Sequence, residues 1–337
     1  MRSSRNDLKC LGLESTAHTF GASVASGPRN GKILSDVKDL YKPAPGSGIH
    51  PREAATHHAK VAPEIVREAL RKANLTIEAI DCIAFAMGPG LGACLRVGAV
   101  VARALSSYAR KSLVAVNHAV GHIELATLLT GSKDPITLLV SGGHTAITAL
   151  ESGRWRVFGE TLDLTIGQLV DQFGRELGYS SPSGQKIESL AAKSSRYINL
   201  PYSVKGNDVS LSGTLTAAKK LLSQGEKAED IAYSIQETAF AMITEVTERA
   251  LAFTQKHEVL LTGGVAANTR LQKMLRQMGT RHGATFYVVP KEYTGDCGAQ
   301  IAWTGLLSYA SGNFIKIAES MVKQSWRVDK VDISWRS

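Results

Sequence analysis

The 337-residue chain holds only four cysteines, Cys10, Cys82, Cys94 and Cys297, and none form a C-x-x-C pair. That spacing excludes a zinc ribbon and a thioredoxin-like motif, and a disulfide framework fits a chain of this length poorly. Most of the four are expected to be small buried side chains, with Cys297 set apart by its neighbour Asp296. No run of about 18 apolar residues occurs, which excludes a membrane-spanning helix. The opening Met1-Arg2-Ser3-Ser4-Arg5-Asn6-Asp7 lacks the apolar core of a secretory signal, so a cytoplasmic protein is expected. A concentrated basic block is missing too. The net charge of +9 suits a polyanionic partner such as nucleic acid, but it is dispersed over pairs such as Arg71-Lys72, Arg110-Lys111 and Lys219-Lys220. The hydrophobic fraction of 44% is that of a globular protein, and the length allows one large domain or two lobes.

What the chain does contain is organised around Asn117-His118-Ala119-Val120-Gly121-His122. Histidines four apart on a helix project from one face, about one turn apart, so two neutral imidazoles can share one metal ion. The same spacing is compatible with two ordinary histidines. A Gly-Asp-Cys-Gly turn at 295–298 can supply a third ligand.

Small-residue turns recur along the chain. Residues 11–24 read as strand, turn, strand, a hairpin able to aim N–H groups and hydroxyls at a phosphate. A Pro-, Gly- and His-rich loop at 43–58 ends in His57 and His58, which are expected on the surface or against a partner. Helical periodicity follows over 59–73, with Pro63 near its start. Strand 81–87 breaks at Gly88-Pro89-Gly90-Leu91-Gly92 into a helix, and strand 113–116 delivers the chain to the histidine pair. After a Gly-Ser-Lys-Asp-Pro linker (131–135), residues 136–150 repeat the pattern of 11–24, which marks an internal repeat and a boundary between two lobes. The first lobe is expected to span 1–130, completed by 296–337, and the second 131–295. Strands alternating with helices indicate an α/β architecture. Asp171 and Glu188 are either dipole-stabilising surface acids or hydrogen-bond acceptors for ribose hydroxyls. A long helix at 229–256 leads to strand, Gly263-Gly264 turn and helix, the form of a nucleotide-binding junction. The tail 326–336 is expected to pack on the surface.

Seven ordered segments carry a resemblance: Glu-Ser-Thr-Ala-His-Thr (14–19), Ile-His-Pro-Arg-Glu-Ala-Ala (49–55), Gly-Pro-Gly-Leu-Gly (88–92), Val-Asn-His-x-x-x-His (116–122), Val-Ser-Gly-Gly-His-Thr (140–145), Thr-Gly-Gly-Val-Ala-Ala-Asn (262–268) and Gly-Asp-x-Gly (295–298). Together they resemble the tRNA N6-adenosine threonylcarbamoyltransferases, formerly described as O-sialoglycoprotein endopeptidases. The chain looks most like the archaeal and eukaryotic cytosolic branch. The resemblance implies a two-lobed, actin-like and Hsp70-like ATPase fold (the ASKHA class). It also implies transfer of a threonylcarbamoyl group from threonylcarbamoyl-AMP to N6 of adenosine 37, in tRNAs reading codons that begin with adenine. Metal ligands fall on His118, His122 and Asp296, for one divalent ion, iron or zinc. The adenylate pocket falls on Leu139, Val140, Ser141, Gly142, Gly143, Asp171, Gly184, Glu188 and Asn268. The implied partners are tRNA and the KEOPS complex, with its small kinase-like ATPase and two further small subunits. The helical region between about 50 and 75 is a candidate docking element.

Three positions depart from the pattern. Leu139 stands where archaeal members commonly have a metal-reaching tyrosine, Ser183 replaces a common glycine, and Cys297 a common asparagine. A metalloprotease would need a glutamate where Ala119 stands. A sugar or acetate kinase of the same fold would not need the histidine pair, and a non-catalytic ATP-binding scaffold would not need three metal ligands. No general base for the adenine amine is identifiable.

Overall fold

The computed structural model describes residues 7–336, so the opening segment 1–6 lies outside the described residues. Strands β1 (Lys9–Glu14) and β2 (Thr19–Ser26) form an antiparallel hairpin, and β3 (Lys32–Leu40) joins its outer edge. Helix α1 (Pro51–Lys72) leads to β4 (Cys82–Gly88), parallel to β1; α2 (Gly92–Ala109) leads to β5 (Ser112–Asn117), parallel to β4. Helix α3 (His118–Thr130) then carries the chain to the second sheet.

That sheet opens with the antiparallel strands β6 (Ile136–Val140), β7 (Thr145–Glu151) and β8 (Arg154–Glu160). Helices α4 (Ile166–Glu176) and α5 (Gly184–Ala191) follow, then a short ribbon of β9 (Val204–Lys205) and β10 (Asp208–Val209). Next come α6 (Ser212–Ser223), α7 (Ala228–Thr254), β11 (Glu258–Thr262), α8 (Thr269–Arg281) and β12 (Thr285–Val288). Finally α9 (Gly298–Ala310) returns to pack on β1, β2 and β4 of the first sheet.

The first sheet has the order β3-β2-β1-β4-β5 and the second β8-β7-β6-β11-β12, so each hairpin occupies the same place in its sheet. This is a two-lobed α/β architecture with a duplicated core. Every residue of β4 is buried because helices cover both faces of its sheet. Ile83, Phe85 and Met87 join the core beneath α1 and α2, while Cys82, Ala84 and Ala86 join the one beneath α9. The period-two alternation of a strand makes that split.

Three local expectations need correction. Helix α1 begins at Pro51, not beyond 58, and Pro63 lies in its interior. Proline at the first position suits a helix, since its missing N–H would be unpaired there anyway. The amphipathic face then carries the helix through Pro63, burying Ala62, Ile65, Val66 and Ala69. Second, His58 is fully buried, its Nε2 3.0 Å from the Ala17 carbonyl in the first hairpin turn, while His57 Nε2 meets Asp39 at 2.8 Å. Third, the tail does more than lie on the surface. Ile333 is buried against Val120, Ile123 and Trp155. Arg336 Nε donates to the buried carboxylate of Glu124 at 2.9 Å, and that carboxylate also accepts from Trp155 Nε1 at 3.2 Å. Helix α3 of the first lobe, strand β8 of the second and the tail therefore meet at one carboxylate.

Candidate metal centre and cleft

Asn117 fixes where the histidine helix begins. Its Oδ1 accepts from the Ala119 and Val120 N–H groups at 3.0 and 3.1 Å, a side-chain N-cap that makes His118 the first helical residue. His122 follows one turn later on the same face, and the two rings meet edge to face with centroids 4.8 Å apart. Asp296 arrives from the loop before α9. There Gly298 lies so close to β2 that an added Cβ would stand 2.5 Å from the Ala22 carbonyl carbon. Asp36 Oδ1 accepts from the Ala299 N–H at 3.0 Å and holds the start of α9.

Asp296 Oδ1 stands 3.3 Å from His122 Nε2 and 3.6 Å from His118 Nε2, and the three candidate ligand atoms lie within 4.8 Å of one another. Two imidazoles and one carboxylate suit iron or zinc. The far side of His118 strengthens the fit. Its Nδ1 donates to Glu14 Oε2 at 2.9 Å, which fixes the tautomer and leaves Nε2 facing Asp296. These residues therefore fit a divalent metal ion.

Burial depresses the His118 imidazole, but the charges of Glu14 and Asp296 outweigh it and raise its pKa to about 9 without an ion. His122 is lowered by burial and by the charge of His118. Burial raises Asp296, but His118 and His122 outweigh it and hold the carboxyl well below its usual range. His144 stacks on His118 at 6.0 Å; burial, then the charges of His118 and His122, push it down to about 3.

The group opens into a cleft of about 1190 Å³ between the lobes, lined by His118, Asp296, Ser141, Gly142, Gly143, Asp171, Gly184, Glu188 and Asn268. The structure does not bring Leu139 and Val140 into that lining. Both are buried in β6, where Leu139 pairs with Ala146 and Thr262. Ser141 Oγ accepts from the N–H groups of Gly143 (3.2 Å) and His144 (3.0 Å), so the Gly143 amide turns inward. Asp171 Oδ1 accepts from the Ser183 N–H (2.7 Å) and hydroxyl (3.1 Å), so Ser183 ties that carboxylate to the turn before α5. Glu188 Oε1 accepts from the Thr269 N–H at 2.8 Å, and Asn268 caps α8 through the N–H groups of Arg270 and Leu271.

A family model described as tRNA N6-adenosine threonylcarbamoyltransferase matches residues 32–303. The chain belongs to that family. A relative named tRNA N6-adenosine threonylcarbamoyltransferase, from Thermofilum pendens, is 50% identical over 98% of this chain and 98% of its own length. One from Methanothermobacter thermautotrophicus, named a probable bifunctional tRNA threonylcarbamoyladenosine biosynthesis protein, is 50% identical over 97% of this chain and 60% of its own length. Among solved structures, the activator of the 2-hydroxyisocaproyl-CoA dehydratase from Clostridium difficile aligns with a TM-score of 0.54. It is 12% identical, over 90% of this chain and 96% of that one. The ROK hexokinase from Thermus thermophilus aligns at 0.50 and 14%, over 90% and 99%. Both likenesses concern the fold, which is of the ASKHA type. As a member of the threonylcarbamoyltransferase family the chain is an enzyme of tRNA threonylcarbamoyladenosine synthesis, and the kinase and scaffold alternatives gain no support.

Glu14 and Gln300 have no role in the sequence reading, yet both touch His118. The signal for Glu14 was a carboxylate closing the apolar run Cys10-Leu11-Gly12-Leu13. Gln300 offered none, since Glu14 and His118, its partners at the site, are more than 180 positions away.

Proposed function

We propose that the chain transfers the threonylcarbamoyl group of threonylcarbamoyl-AMP to N6 of adenosine 37, in tRNAs reading codons that begin with adenine. The observation that carries this reading is the His118, His122 and Asp296 group opening into a cleft that the Ser141-Gly142-Gly143 turn also lines. These three residues would hold one divalent ion, Fe2+ in preference to Zn2+, which when bound supplies Lewis-acid neutralisation of phosphate charge. Leu139, buried in its strand, adds no ligand.

The chain's own groups position the donor. Ser141 Oγ already accepts two N–H bonds, so its hydroxyl proton is free to point into the cleft and donate to a phosphate oxygen. The free oxygens of Asp171 and Glu188 accept from ribose hydroxyls, while Asn268 and Gly184 border the adenine end. For the acceptor, the lysine and arginine in the cleft lining are Lys38, from the first lobe, and Arg175, from the second. Lys38 Nζ donates to the Glu292 carbonyl and Arg175 to the Ser181 hydroxyl, so neither charge is matched by a carboxylate in these bonds. Both are suited to tRNA phosphates.

The same reading divides the chain at the 131–135 linker, with 296–337 returning to the first lobe, in keeping with α9 packing on β1, β2 and β4. The chain acts in the cytoplasm within a KEOPS-type assembly that includes a small kinase-like ATPase, with α1 as a docking element. In support, the bifunctional relative exceeds the matched length, leaving room for a second module. No helix among the described residues is long and apolar enough to cross a membrane.

The test is a transfer assay with the chain, partner subunits, unmodified tRNA, labelled threonine, bicarbonate, ATP and the adenylate-forming enzyme. Label should enter tRNA with the wild type and vanish with His118→Ala plus His122→Ala in a folded protein. Label absent from both, despite an intact assembly and bound metal, overturns the reading.

A further inference from the structure

Gln300 lies in the first turns of α9, four residues after Asp296, and is fully buried. Its Nε2 donates to Glu14 Oε2 at 3.1 Å and packs 3.0 Å from His118 Nδ1. Its Oε1 lies 3.8 Å from Cys297 Sγ, within reach of the thiol proton. Only one orientation of the amide satisfies both ends, because a carboxylate accepts and a thiol donates. Gly121, between the two histidines, lets the contact form: a Cβ there would stand 3.3 Å from Gln300 Cγ and from its carbonyl oxygen.

The consequence is a closed chain of contacts joining the elements that bear the candidate ligands. It runs from Cys297, beside Asp296, through Gln300 to Glu14, and from Glu14 to His118. Glu14 is a fully buried carboxylate with three donors: the Thr16 N–H at 2.6 Å, His118 Nδ1 and Gln300 Nε2. Taking one away leaves a buried charge with less satisfaction and freedom to turn.

We infer that Gln300 is a positioning residue for the metal site, held in register by the Cys297 thiol, and that it orients Glu14 and through it the His118 ring. This rests on the metal reading above, and the test separates the two. Zn2+ binding to the metal-free chain is measured by competition with a chelating indicator, beside the thermal midpoint of the metal-free chain and the absorption spectrum of its Co2+ form. Gln300→Met keeps the length and removes the amide. It is expected to weaken Zn2+ roughly 10–100-fold and alter the Co2+ spectrum, with the metal-free midpoint changed by only a few degrees. Adding Glu14→Gln should cost little more, because the two act in one network. Wild-type chain that binds no Zn2+ overturns the metal reading. Wild type and folded Gln300→Met binding alike overturns this inference alone. Should Gln300→Met fail to fold, Cys297→Ala and Cys297→Ser decide. Serine keeps a donor toward Oε1 and should bind Zn2+ within about twofold of wild type, whereas alanine frees the amide and should weaken it several-fold. Equal affinity in those two overturns the role of Gln300.

Discussion

The two hairpins occupy equivalent places in equivalent sheets, yet their turns differ in how far each is exposed. In the β1–β2 turn Glu14, Ser15 and Thr16 are buried, and α2 packs so close that a Cβ on Gly98 would stand 2.1 Å from Ser15 Oγ. The Glu14 carboxylate and the Ala17 carbonyl turn inward, to His118 and His58, while His18 lines the cleft. In the β6–β7 turn Gly142 and Gly143 are exposed, and a Cβ on either would meet no atom within 4 Å. One copy of the motif backs the candidate metal site through Glu14, and the other presents exposed glycines to the cleft. Topology places a turn with a helix against it in both lobes. The residues of the turn itself, a buried carboxylate in one and two exposed glycines in the other, decide what it serves.

The largest effect should come from Gly12, which sits on β1 beneath α9. An added Cβ would stand 2.0 Å from the Ala302 backbone nitrogen, with no flexible side chain to give way. Gly12→Ala should destabilise by about 3 kcal/mol or more, read as a lowered thermal midpoint, because α9 must lift from the sheet. If it is tolerated, the first hairpin is not the compressed one.

An intermediate effect should appear in acid. Burial, the leading cause, lowers His58 to about 4, only partly offset by its bond to the Ala17 carbonyl. Between pH 6.5 and 4 the unfolded chain therefore binds more protons than the folded one. The contribution is complete above pH 6.5 and is lost as pH falls toward 4. His144 and His122 titrate in the same direction there. The share due to His58 is therefore the difference between wild type and His58→Gln in denaturant titrations across that window, expected to be about 2 kcal/mol after allowing for solvent screening.

The smallest effect on the fold should come from Gly142→Ala, within about 0.5 kcal/mol because the space is open. The same methyl group projects from the cleft wall, so AMP binding measured by calorimetry should weaken at least tenfold. Unchanged AMP affinity would remove the second hairpin from the donor site.

The repeat was legible because each hairpin announces itself locally, as an apolar run, a small-residue turn and another run. The histidine pair was legible because helical spacing is local too, and Asn117 before it reads as a cap. What stayed hidden was set by contacts distant in sequence. Glu14 meets His118 across 104 positions and Gln300 meets Glu14 across 286. His58 looked solvent-facing beside His57 until α1 proved to begin at Pro51 and turned it onto the hairpin. Leu139 belonged to a contiguous motif but is buried, as is every residue of β6, because both faces of that strand are covered.

The junction at Glu124 has a thermodynamic corollary. Helix α3 packs on β5 of the first sheet and on β6 and β11 of the second, and the Thr262 hydroxyl reaches the His122 carbonyl. The histidines thus ride on an element that both lobes grip, so a rotation of one lobe against the other would shift the candidate ligands. If drawing the lobes together shifts those side chains, a molecule that does so would change ion affinity by the same factor by which the ion changes its binding, in either order of addition.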